Sequence, residues 1–161
     1  MDDVLKQSIG AALGAIPSGL FVLAAQHEEQ RCGMLVSWVQ QVCFEPPMLV
    51  VAIAKGRSIM PLISESRQFS LCQLADDDKM MSRKFASGCD LDDDPFLGFD
   101  LIQGQLNNLP ILSQCLSYLE CELSCHMDVE GDHDLFIGRV CGGARHAGTP
   151  RVHLRKNGFN Y

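Results

Sequence analysis

Lys55-Gly56-Arg57-Ser58 places two cations around a glycine in a chain with 13 Lys plus Arg against 20 Asp plus Glu. A turn of this type offers backbone N–H groups, a hydroxyl and a guanidinium that can grip an anion through two hydrogen bonds. His133 stands between Asp132 and Asp134, and imidazole suits proton delivery near neutral pH. Cys121-Glu122-Leu123-Ser124-Cys125-His126 approaches a haem-attachment motif but has one residue too many between its cysteines. In a strand, residues 121, 123 and 125 share a face, so Cys121, Cys125 and a histidine such as His126 could hold zinc, although no second ligand pair at finger spacing accompanies them. Asp90, Asp92 and Asp94 begin like a calcium loop, yet Pro95 and Leu101 stand where glycine and glutamate are needed. A solvated acidic loop is expected there, and no metal site. No glycine pattern of the usual dinucleotide or nucleotide phosphate loops is present, nor a serine nucleophile elbow.

The formal charge of −7 argues against a nucleic-acid partner, which needs a basic face. The uncharged stretch Ile9–Ala25 is short for a membrane span and is interrupted by Gly10, Gly14, Pro17 and Gly19. The acidic start before it is unlike a signal peptide. A cytoplasmic chain without a membrane partner is expected. The eight cysteines, at 32, 43, 72, 89, 115, 121, 125 and 141, then read as reduced, buried thiols packed as small apolar side chains.

These groups need a scaffold, and the 161 residues suit a single domain over 1–161. Val4, Leu5, Ile9 and Leu13 predict an amphipathic helix over 2–15, ended by Ile16-Pro17-Ser18-Gly19. Strands are predicted over 20–25, within 32–44, and over 48–54, 69–74, 116–128, 135–144 and 152–156. Met48–Ala54 is continuously apolar, which predicts a strand covered on both faces. Ile59–Ser66 and the stretch from Asp76 to Ala86 predict short helices, the latter with acids first and Arg83 and Lys84 last. Ser87–Pro110 predicts mostly loop with one short strand. Several strands with a few short marginal helices predict a mainly β, antiparallel barrel.

Four segments occur in order: Ala12–Leu23 (Ala-Leu-Gly-Ala-Ile-Pro-Ser-Gly-Leu-Phe-Val-Leu), Gly33–Pro47, Gly131–Val140, and Leu154–Tyr161. Together they resemble the flavin reductase-like family. The resemblance implies an FMN-binding split barrel, a Greek-key antiparallel barrel that forms a homodimer with flavin bound close to the interface. It implies a flavin-binding stretch at Met34, Leu35, Val36 and Ser37, whose backbone and one small polar side chain face the isoalloxazine edge. A flavin edge offers alternating donors and acceptors that extended backbone can match, and Ser37 can donate where negative charge builds on reduction. The sequence departs from the commonest family pattern at Leu35 and Val36, which removes a hydroxyl contact, and at Cys43, a weaker donor than the usual serine.

The resemblance places phosphate contacts in the strand-to-helix connection Lys55, Gly56, Arg57 and Ser58, with Arg83 and Lys84 as secondary candidates. Trp38 either covers one flavin face or packs in the core or at a dimer contact. His133 is implied beside flavin and nicotinamide, positioning the pyridine nucleotide or assisting proton delivery. Leu154–Tyr161, basic and aromatic, either caps a turn or touches a partner subunit or the cofactor. The activity implied is hydride transfer from NADH or NADPH to FMN, with electrons passed to free flavin, oxygen or a redox partner protein. The alternative is an FMN-holding electron-transfer module that does not use NAD(P)H, and a metal-binding β-domain is a third reading.

Overall fold

A computed structural model describes residues 1–161. Helix α1 (Asp3–Gly14) starts where the Asp2 carboxylate accepts from the Leu5 N–H at 2.8 Å, the expected satisfaction of a free helix-end donor. The strands are β1 (Phe21–His27), β2 (Gln30–Val36), β3 (Val39–Cys43), β4 (Met48–Ala54), β5 (Gln68–Gln73), β6 (Ser117–Asp128) and β7 (His133–Arg145). Helix α2 (Ile59–Ser66) separates β4 from β5, and α3 (Met80–Phe85) follows β5. The strands form one seven-stranded antiparallel sheet in the order β2-β1-β5-β6-β7-β4-β3. The sheet curls but does not close, because β2 and β3 are both edges. The fold is mainly β, with few helices.

Side-chain alternation divides the apolar residues between two cores. Leu23, Val36, Val51, Ile53, Phe69, Leu123 and Phe136 point inward from several strands, and Ile59, Leu62 and Ile63 of α2 cap them. Val22, Ala24 and Cys72 point the other way and are covered by Met81 and Phe85 of α3 and by Phe96, Ile111 and Leu112 from the loops. β1 is therefore buried on both faces, and it fixes its neighbour β2 in register from Phe21 opposite Val36 to His27 opposite Gln30. No helix is long and apolar enough to cross a membrane.

Several expectations are corrected. β4 alternates: Leu49, Val51 and Ile53 are buried, whereas Met48, Val50, Ala52 and Ala54 are partly exposed. Its outward residues Val50, Ala52 and Ala54 line open cavities, so the apolar run reflects a cavity wall instead of a second packed layer. The segment 152–156 is irregular, with only a single bridge between His153 and Ser18. It packs on α1, the Arg155 N–H donating to the Gly14 carbonyl at 3.1 Å and Gly158 to Gly10 at 2.7 Å. Nor are all cysteines reduced: Cys32 of β2 and Cys89 of the loop after α3 form a disulfide, their Cα atoms 5.7 Å apart, inside the span such a bond requires. Cys125 and Cys141 are exposed and Cys43 is half-buried, while Cys72, Cys115 and Cys121 are buried thiols.

Candidate functional site

β2 is an edge strand, so the backbone groups of its outer side have no strand partner. Where β2 ends, Met34, Leu35, Val36, Ser37 and Trp38 line a cavity of 330 Å³, at the lower end of the usual range of about 300–1,000 Å³ for small-molecule sites. Arg57 lines the same cavity from the β4–α2 connection, and Ala52 and Ala54 form its floor. Arg57 has no acidic partner: its guanidinium makes none of the chain's ion pairs. An adjoining pocket of 110 Å³ brings Gly56, Arg57 and Ser58 together with Met34 and with Ser87, Gly88 and Cys89. Gly56 adopts φ +82° with open space around its Cβ position, a left-handed conformation that glycine accepts without steric cost.

The structure thus joins Met34–Trp38 to Gly56–Ser58, stretches that are separate in sequence. It sends Lys55 elsewhere: its ammonium donates to Asp128 at 2.7 Å and lies 3.6 Å from Asp134. That hydrogen bond to Asp128 holds the Lys55 pKa above its ordinary value. Cys43 lies on β3 and its thiol meets the Glu45 carbonyl at 3.6 Å, away from both cavities. Arg83 and Lys84 fall in the last turn of α3, outside both.

His133 opens β7 opposite Ala54. Its Nδ1 is 2.7 Å from Asp132, and its Nε2 shares a short hydrogen bond with the Tyr161 hydroxyl. The bond to His133 lowers the Asp132 pKa. Trp38 packs against both rings, at centroid distances of 4.7 Å to His133 and 5.6 Å to Tyr161, with the Arg155 guanidinium over it at 5.0 Å. Tyr161 lines the 330 Å³ cavity, whereas His133 stands one ring behind that wall. His153 also lines it, and burial followed by Arg151 and Arg155 lowers its pKa below the ordinary 6.5. In sequence His153 is visible only as a histidine in an apparent strand, and Tyr161 only as the last aromatic of the Leu154–Tyr161 stretch read as a turn cap or a contact with a partner subunit or the cofactor. Their place depends on how 150–161 crosses α1.

The arrangement suits a flat, partly apolar ligand with an anionic end. Main-chain edge groups and Ser37 can meet ring heteroatoms, Trp38 and Tyr161 can meet a ring face, and unpaired Arg57 can meet an anion. A metal at Cys121 and Cys125 finds no such support. A bulge between Leu123 and Cys125 breaks the shared face, leaving Cys121 buried and Cys125 exposed. Burial pushes the Cys121 thiol up to about 12, and His126 is engaged by Asp134 at 2.7 Å.

The chain is similar to known proteins over most of its length. The model of the family described as "Flavin reductase like domain" matches residues 13–158. The chain is 35% identical to Diflavin flavoprotein A 1 of Synechocystis sp. over 98% of its own length, which is 28% of that protein. It therefore spans about a quarter of the length of the diflavin relatives it matches. It is 29% identical to the FMN reductase (NADH) SmoA of Agrobacterium fabrum, covering 90% of this chain and 80% of that one. Among solved structures, the styrene monooxygenase flavin reductase SMOB of Pseudomonas putida S12 superposes with a TM-score of 0.76 at 28% identity, covering 91% and 92% of the two chains. The NADH:FAD oxidoreductase SgcE6 of Streptomyces globisporus shares the fold with a TM-score of 0.83 at 20% identity, covering 96% and 91%. With the family match running over nearly the whole chain, and the open antiparallel sheet already described, this chain belongs to the flavin reductase-like family.

Proposed function

We infer that the chain binds FMN in the 330 Å³ cavity and is an NAD(P)H:flavin oxidoreductase. The observation that carries this reading is the junction of the β2 edge at Met34–Ser37 with an unpaired Arg57 across one cavity. When bound, FMN supplies a ring system that accepts a hydride and stores two electrons. The chain's part is placement. Met34, Leu35, Val36 and Ser37 orient the ring edge, and Trp38 flanks it. Arg57 holds the phosphate through charge-assisted hydrogen bonds, while Gly56 and Ser58 donate from the turn. Lys55 contributes positive field at most, because Asp128 holds its ammonium. Hydride transfer needs two rings held close and parallel and no protein acid or base. His133, fixed by Asp132, acts on the cavity through the Tyr161 hydroxyl as a proton holder. Electrons then pass to free flavin, oxygen or a partner protein.

A second copy of the chain is the proposed cover for the exposed apolar residues Val42, Phe44, Val152 and Leu154. The test of the activity is anaerobic addition of NADH, and separately NADPH, to the FMN-loaded protein. Bleaching of the yellow flavin absorbance by one of them is the expected result. Bound FMN that neither nucleotide bleaches would overturn the reductase reading and leave an electron carrier.

A further inference from the structure

We propose that the Cys32–Cys89 disulfide is a second two-electron centre whose oxidation state controls flavin affinity; this rests on the FMN reading above. Cys32 lies two residues before Met34, where the proposed flavin-facing stretch of β2 begins, and Cys89 follows the cavity residue Gly88. Both half-cystines line the 110 Å³ pocket that also contains Gly56, Arg57 and Ser58. Gly88 lies beside Arg57, where a Cβ would meet the guanidinium at an ordinary contact distance of 3.6 Å. The loop carrying Cys89 is thus one wall of the corner assigned to phosphate.

That wall has few other fastenings. Its nearby hydrogen bonds are local: Gly88 N–H to Phe85 at 3.3 Å, Asp92 N–H to the Asp90 carboxylate at 3.1 Å, and Asp93 N–H to Asp90 at 3.1 Å. Leu91 packs against the inner core, and the next long-range polar tie is Arg31 to Asp94, at 2.7 Å from Nε. Between α3 and Asp94, the disulfide is the bond that fixes Ser87–Cys89 against β2. Reduction frees this segment, and ordering it again on FMN binding costs conformational entropy.

The reduction balances with a thiol reductant. A thiolate attacks the Sγ of half-exposed Cys89, breaking the S–S bond and releasing the buried Cys32 thiolate, which takes up a proton. The second thiol of a dithiol then attacks the mixed disulfide, releasing the Cys89 thiol and forming the reductant's own disulfide. Two electrons and two protons move to the protein and two thiols are oxidised.

Linkage makes the effect reciprocal: whatever factor oxidation adds to FMN affinity, FMN adds to the stability of the disulfide. The experiment titrates FMN, by quenching of its fluorescence, into air-oxidised and dithiothreitol-reduced wild-type protein and into Cys89→Ser. A Kd about tenfold higher in the reduced form is expected, within the usual range of coupling energies. Cys89→Ser should match the reduced form with or without dithiothreitol. Saturating FMN should then move the disulfide midpoint about 30 mV more negative, the equivalent of tenfold for two electrons. Equal Kd values in the two forms, a dithiothreitol effect that persists in Cys89→Ser, or free thiols at 32 and 89 after oxidation would each overturn the redox coupling while leaving FMN binding intact. FMN binding to neither form would overturn the FMN reading itself.

Discussion

At the residue scale, partners decide which candidate side chains can act. Lys55 and Arg57 are two positions apart and equal in charge. Lys55 is held by Asp128 and Asp134 on one side of the β4–α2 connection, while Arg57 meets no carboxylate and faces the cavity. Sequence shows both cations but cannot show that β6 and β7 bring two acids to only one of them. His153 adds a pH signature. Burial and the nearby Arg151 and Arg155 hold its imidazole pKa below 6.5 in the folded chain, so on acidification the unfolded chain takes up the proton first. Stability therefore rises with pH up to about 6.5 and is lost as pH falls below it. Urea unfolding across this range should show that slope in wild-type protein and a flatter one in His153→Asn. An unchanged slope would remove His153 as its source.

At the element scale, α1 and the segment from 150 to 161 form one unit. Gly10 and Gly14 face that segment, and a Cβ on Gly14 would run into the Arg155 carbonyl. Elsewhere in a helix, Gly→Ala gains roughly 0.5–1 kcal/mol. Here Gly14→Ala should lose about 1–3 kcal/mol from overpacking, measured by chemical denaturation, so the sign alone tests the contact. Helix and strand periods in the sequence reveal α1, α2 and most strands, because each carries its apolar pattern locally. The segment 152–156 has alternating Val152 and Leu154, yet both are exposed and no neighbouring strand offers a ladder. The Cys32–Cys89 bond was equally illegible, since it depends on the path of a loop whose acidic composition says only that it is solvated.

At the scale of the whole molecule, the candidate site depends on the sheet's failure to close. A closed barrel would pair β2 with β3 and consume the backbone groups that an open edge keeps free. The family segments made the fold and the Met34–Ser37 stretch readable, while Lys55–Ser58 stood out by its two cations and by its place between a strand and a helix. The ring cluster of Trp38, His133 and Tyr161 assembles only when the β2–β3 link, the start of β7 and the C-terminal segment meet beside β4, so residue types alone could not reveal it. The most direct measurement is a paired titration of FMN and riboflavin into wild-type, Arg57→Ala and Lys55→Ala proteins. Loss of one charge-assisted contact costs about 1.5–3 kcal/mol, roughly ten- to a hundredfold in affinity. Wild-type and Lys55→Ala proteins should prefer FMN over riboflavin by that factor, and Arg57→Ala should bind the two nearly alike. Equal affinities for FMN and riboflavin in the wild type, or a preference that survives loss of Arg57, would contradict the assignment of this corner to the phosphate.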